Sequence, residues 1–141
     1  MYNDDWMRER VFLDEKIICA GDLIKNHKDK PLVTLFAEEL VSHAISKMRK
    51  FGISQIPVMK EGENVGSVDD RHMYELLVEK PELKDTPISS IMQEPFPMVD
   101  EKTSIDELCK LIDKETSAVL VELSNGNKHI ITRYDIIQAM S

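Results

Sequence analysis

From residue 31 onward the apolar positions change spacing in a fixed order, and that order occurs twice. Pro31 to Phe36 is a run of apolar and β-favouring residues that predicts a strand. Glu38 to Phe51 carries Leu40, Val41, Ala44, Ile45 and Met48 on one helical face, with Lys47, Arg49 and Lys50 toward its C-terminal end and Gly52 to stop it. Gln55 to Met59 predicts a second strand, in which Pro57 demands an edge or otherwise special position. A turn over Glu61 to Asn64 leads to a third strand, Val65 to Val68. Asp69-Asp70 then cap a helix with Met73, Leu76 and Leu77 inward, which stops before Pro81. The second set opens with a strand at Pro97 to Val99 and a helix over Thr103 to Asp113, with Ile105, Leu108, Cys109 and Ile112 inward. A strand over Ser117 to Leu123, a turn at Asn125-Gly126 and a strand from His129 to Ile131 follow, the last running straight into a helix with Ile136, Ile137 and Met140. Ahead of both sets, Ala20 to Asn26 reads as a short amphipathic turn or helix.

The two sets superpose by register. Ser54 to Val58 lies over Ser117 to Val121, Gly66 over His129, Asp69 over Thr132 and His72 over Asp135, each 63 residues apart. Val41 matches Ile105 and Met48 matches Ile112 at 64, so the second copy is one residue shorter between helix and strand. Two copies make a tandem pair and not a solenoid. Each copy is too small to bury a face alone. The expectation is an α+β fold of two pseudo-twofold-related βαββα repeats, each a three-stranded sheet with two helices, packed through their sheets. Repeat 1 covers 17–80 and repeat 2 covers 81–141, with the strand-to-helix junctions of both lining the cleft between them.

Composition narrows the function classes. With 42% hydrophobic and 31% charged residues over 141 positions the chain is an ordinary globular protein. No apolar run approaches the roughly 20 residues of a membrane span, and the acidic, Trp-containing start is not a signal peptide. A cytoplasmic location and no membrane partner are expected. A net charge of −8 leaves no basic face for nucleic acid, although a single nucleotide depends only on local groups. Cys19 and Cys109 read as small buried hydrophobes in a reducing compartment. His27, His43, His72 and His129 show no ligand spacing, so no metal site is expected. Residues 1–16 are acidic yet carry Tyr2, Trp6, Met7, Val11, Phe12 and Leu13, more large apolar groups than a disordered tail has use for.

The candidate chemistry sits in His129-Ile130-Ile131-Thr132-Arg133-Tyr134-Asp135, where a strand turns into a helix. Backbone N–H groups at a helix start are unpaired and the dipole there is positive. A Thr hydroxyl and an Asp one turn later suit a sugar or phosphate: the carboxylate accepts from ribose hydroxyls, and the hydroxyl and amides donate to a phosphate. The same Thr-x-x-Asp is also a capping box whose side chains serve only their own backbone. No nucleophile stands beside a base and no acid pair is placed by a recognisable scaffold, so catalysis is not expected.

These residues resemble a tandem pair of CBS domains, a Bateman module. The resemblance covers about residues 17 to 141. The pattern Gly-x-h-Thr/Ser-x-x-Asp/Asn after the third strand is that family's adenosine-phosphate signature, matched in the second copy at Thr132 and Asp135, and the run Met48 to Val58 is similar to its other recognisable stretch. The resemblance implies an adenosyl ligand, AMP, ATP or S-adenosylmethionine, with Asp135 on the ribose diol and Thr132 on ribose or phosphate. It places the base between Ile130 and the first-copy residues Ile53, Ser54 and Ile56, with Arg133 within reach of a phosphate. Asn3 to Met7 and Val11 to Glu15 look like the linker that joins the catalytic core of cystathionine β-synthase to its regulatory end. That implies a regulatory fragment of a pyridoxal-phosphate enzyme, with 1–16 as linker, no pyridoxal phosphate in this chain, the parent catalytic domain as partner, and a homodimer through the CBS helices. A ligand-free dimerisation or autoinhibitory domain is the alternative. Two departures bear on the site. Asp69 and His72 stand where the family has Thr and Asp, so one working site is expected and not two. Ile53 and Ser54 stand where S-adenosylmethionine-responsive relatives have an aromatic residue and an acid, which removes a cation–π partner and a counter-charge.

Overall fold

The computed structural model describes residues 18–27 and 32–140. In chain order its elements are α1 (Ala20–Leu23) with a 3-10 turn (Ile24–His27), β1 (Leu35–Phe36), α2 (Val41–Phe51), β2 (Gln55–Lys60), β3 (Glu63–Asp69) and α3 (Asp70–Glu79). Two further 3-10 turns (Pro81–Asp85 and Ile88–Ser90) lead to β4 (Met98–Asp100), α4 (Ile105–Leu111), β5 (Ala118–Glu122), β6 (Lys128–Thr132) and α5 (Arg133–Met140). The fold is α+β, with two three-stranded sheets ordered β1-β2-β3 and β4-β5-β6. Each sheet pairs its first strand parallel and its last strand antiparallel to the central one. The chain forms two compact units, residues 32–97 and the remainder. The segment 1–16, read above as a linker, lies outside the described residues.

In the unit of residues 32–97, Ile56, Val58 and Val68 point to one side of the sheet and bury against Leu35, Val41, Ala44, Met73 and Ile88. Within the described part of the run expected over Pro31 to Phe36, the strand is Leu35–Phe36, and Lys47 Nζ donates to the Thr34 carbonyl just before it at 2.7 Å. The helix expected from Glu38 begins at Val41. Ala37 N–H still donates to the Met59 carbonyl at 3.2 Å, and Leu40 is extended, bridging Pro87. The turn is tighter than Glu61 to Asn64. Glu61 and Gly62 have φ of 51° and 82°, the positive pair whose twist matches two antiparallel strands, so β3 starts at Glu63.

Pro57 lies in the central strand, where its missing N–H leaves no gap. Opposite it, Ser67 turns its backbone outward to Gln93, donating at 3.0 Å and accepting at 2.8 Å, so the Pro57 and Ser67 pair is a non-hydrogen-bonded one. On its other side the ladder to β1 begins only at Val58. The outward bonds of Ser67 belong to a strap, residues 92–96, that covers the free edge of β3. Ser67 Oγ donates to the Glu94 carbonyl at 2.6 Å and Asn64 Nδ2 to the Phe96 carbonyl at 3.1 Å. Gly66 admits the strap, for a Cβ there would lie 2.5 Å from Met92 Sδ and 3.0 Å from the Gln93 carbonyl oxygen.

In the other unit Val119, Val121 and Ile131 pack with Ile105, Leu108 and Ile136. Although α1 lies within the stretch assigned to the first repeat, it packs with the second. Ala20 and Gly21 donate to the carbonyls of Thr103 and Glu101 at 2.7 and 2.8 Å, and Ala20, Leu23 and Ile24 enter this core. Leu35 pairs with Val58 and Val99 with Val121, so the first strands and helices of the two repeats correspond at 64 while the later strands correspond at 63, as the registers predict. Cys109 is exposed and not inward, because the buried stripe of α4 follows Ile105 and Leu108 and leaves Cys109 to one side; Cys19 is half-buried. Partial desolvation, and secondarily the Asp106 carboxylate, hold the Cys109 thiol above its ordinary pKa, which makes it a poor nucleophile.

The Gly66→Ala substitution is expected to lower stability by about 1–3 kcal/mol through overpacking against the strap. Adding Met92→Ala should recover part of the loss, since the Gln93 carbonyl remains in the way. Urea midpoints measure both, and a single variant as stable as the parent would contradict the strap.

Candidate functional site

A strand that runs without a loop into a helix brings its last side chains and the helix's free N–H groups to one point. At the end of β6 that point holds Thr132 and Asp135. Thr132 N–H and Thr132 Oγ1 both donate to Asp135 Oδ2, at 2.9 and 3.2 Å. The carboxylate is buried, with 9% relative exposure. This is half of a capping box, the third helical residue reaching back to the residue before the helix. The figure recurs at α1, where Cys19 N–H and Sγ donate to Asp22 Oδ2 at 3.0 and 3.3 Å.

Strand alternation decides which neighbours share the junction's face. Thr132 pairs with Ala118 and Ile130 with Leu120, whereas Ile131 pairs with Val119 in the helix-packed core. Ile130 and Thr132 therefore lie on the sheet face away from α4 and α5, with Ala118 and Leu120 beside them. Arg133, the first residue of α5, is exposed, and its Nη2 donates to the Asp113 carbonyl. The Asp113 carboxyl is held below the ordinary aspartate range, first by the Thr116 and Glu115 N–H groups it accepts from and to a smaller extent by the Arg133 guanidinium.

The first-repeat residues named from sequence belong to the other unit. Ile53 is half-buried against that unit's core, its N–H donating to the Met48 carbonyl at 3.1 Å. Ser54 is half-buried and its carbonyl accepts from Asp70 N–H at 2.9 Å. Ile56 is fully buried on the helix-packed face, so its side chain fills the core. Gln55 and Pro57, opposite Asp69 and Ser67, share the other face. The sequence reading passed over them, although the strict alternation of Ile56 and Val58 already pointed to it. The equivalent junction at the end of β3 runs its bond the other way. Asp69 Oδ1 accepts from His72 N–H at 2.7 Å, placing a carboxylate over the helix start where an anion would sit.

Known proteins supply the comparison. The family model described as CBS domain matches residues 20–79 and again 88–141. The cystathionine beta-synthase of Dictyostelium discoideum is 22% identical over 150 aligned positions, which take in 96% of this chain. The chain spans about 30% of that protein's length. Among solved structures, the CBS-domain containing protein ATU1752 from Agrobacterium tumefaciens aligns with a TM-score of 0.76 at 17% identity, covering 87% of this chain and 93% of that one. CBSX2 in complex with AMP aligns at 0.66 and 18%, covering 86% and 95%. These likenesses establish the fold. No helix among the described residues is long and apolar enough to cross a membrane.

Asp135→Ala removes the acceptor of two bonds and is expected to lower stability by about 1–3 kcal/mol, more than Thr132→Val, which keeps the N–H bond. Urea unfolding of both variants checks the order, and the reverse order would contradict the cap. The Asp113 turn carries a pH dependence of defined sign. A carboxyl depressed in the folded state stabilises above the ordinary aspartate range and stops doing so as pH falls below it, so the Glu115 and Thr116 amides should lose protection on acidification, as hydrogen exchange would show.

Proposed function

Since this chain belongs to the CBS-domain family as a tandem pair, a kind of module that is generally regulatory and non-catalytic, we propose that it binds an adenosyl ligand at the β6–α5 junction and through it modulates an attached enzyme. The observation that carries the reading is the buried Asp135 carboxylate held beside the Thr132 hydroxyl, on a segment that the family match covers. An acceptor and a hydroxyl assembled before the ligand arrives lose little freedom on binding. Asp135 takes the ribose hydroxyls, Thr132 the ribose or phosphate, and Ile130 one face of the base. Ile53, Ser54 and Ile56 belong to the other unit, where Ile56 fills the core.

AMP and ATP are favoured over S-adenosylmethionine by the sequence, which has Ile53 and Ser54 where responsive relatives carry an aromatic residue and an acid. The AMP complex of CBSX2 supports the ligand class. The similarity to cystathionine beta-synthase supports an enzyme of that type as parent; pyridoxal phosphate only in the parent's catalytic domain and a cytoplasmic setting belong to the same reading. Asp69 makes the first-repeat junction the weaker of the two. A second reading, dimerisation through the helices without a ligand, draws on the exposed apolar groups Tyr74 and Val78 of α3 and Tyr134, Ile137 and Met140 of α5.

Titration calorimetry with AMP, ATP and S-adenosylmethionine tests the proposal. Asp135→Asn keeps an acceptor for Thr132 yet loses the carboxylate, and is expected to weaken nucleotide binding about tenfold or more, by the loss of charged hydrogen bonds. No heat from any of the three ligands would sink the sensing reading and leave dimerisation, which sedimentation would then measure.

A further inference from the structure

The second repeat lacks the helical turn that closes the first. Where α2 runs to Phe51 and ends on Gly52 at φ 63°, α4 stops at Leu111 and Ile112 is extended. Residues 113–116 then fold into a turn around one carboxylate. Asp113 Oδ1 accepts from the N–H groups of Glu115 and Thr116, both at 2.9 Å, and Asp113 N–H donates to the Thr116 carbonyl at 3.0 Å. One side chain joins this turn to the β6–α5 junction: Arg133, next in sequence to Thr132, donates to the Asp113 carbonyl. The same guanidinium adds, as the smallest cause, to what holds the Asp113 carboxyl below the ordinary aspartate range. At the corresponding place in the first repeat, the first helical residue is Asp70, and the tie is a backbone bond from Asp70 N–H to the Ser54 carbonyl.

We propose that Arg133 is a latch, which ties the 113–116 turn to the β6–α5 junction in the free protein and is drawn away by the phosphate of a bound adenosine nucleotide, loosening the turn. This rests on the reading that the junction takes an adenosyl ligand. The latch bond runs to a neutral carbonyl, whereas on a phosphate the guanidinium makes paired bonds to an opposite charge. A ligand moves such an equilibrium only by its difference in affinity for the two states. Adenosine, with base and ribose but no phosphate, leaves the latch closed. Because coupling is reciprocal, weakening the turn must tighten the nucleotide.

Amide hydrogen exchange at Glu115 and Thr116, with calorimetry, tests this on the whole chain. Without ligand, Arg133→Gln should speed exchange at both amides, and unchanged exchange would overturn the latch. With the parent protein, AMP should speed the same amides while adenosine binds without doing so. AMP binding that leaves them protected would overturn the coupling and spare the adenosyl reading. Asp113→Ala, which frees both amides, should tighten AMP about fivefold or more and leave adenosine unchanged; equal effects on the two would overturn the proposal. Should AMP and adenosine both fail to bind, the site reading falls and takes the coupling with it, while exchange in the ligand-free Arg133→Gln protein still decides whether the latch exists.

Discussion

Wherever a strand passes directly into a helix, the first backbone N–H groups of that helix must find acceptors close at hand, since neither the sheet nor the helix supplies them. This requirement organises the chemistry of both repeats. At the end of β3 the residue before the helix is an acid and accepts from the helix, Asp69 from His72. At the end of β6 the residue before the helix is a donor, and the acid sits inside the helix at Asp135. Each solution satisfies one backbone N–H, that of His72 within the helix in the first repeat and that of Thr132 just before it in the second. They leave opposite surfaces for an anion or a sugar, a carboxylate over the helix start in one repeat and a hydroxyl beside a buried acceptor in the other.

Around that shared requirement the repeats have diverged at single positions with local consequences. Gly66 lets the strap at 92–96 close against β3; its counterpart His129 carries a side chain where that strap would need none. Gly52 adopts the left-handed conformation that ends an α-helix cleanly. The second repeat has no glycine there, and its helix stops a turn earlier, at Leu111, ahead of the turn around the Asp113 carboxylate. That shorter helix places a turn within reach of Arg133, so the asymmetry of the two junctions extends to what surrounds them.

A regulatory module needs binding groups in place before its ligand and elements whose ties can change when it arrives. On the reading proposed above, the bonded pair Thr132 and Asp135 would supply the first and the exposed Arg133 to Asp113 tie the second. Apolar residues are left exposed on both α3 and α5.

Much of this was legible in the sequence, because strand and helix periods and capping residues act over a few positions. The duplication, its offset of 63 and 64, the order of strands and helices and the pairing of Thr132 with Asp135 all follow from spacing alone. Only the tertiary structure decided that α1 packs with the second repeat, that Lys47 holds the Thr34 carbonyl and that Cys109 is exposed. It also decided that Pro57 is central in its sheet and that Arg133 holds the Asp113 carbonyl. Each of these depends on a partner that lies far off in sequence or on which side of a sheet the helices settle, and periodicity, which reports a pattern and not its neighbours, carries no trace of either.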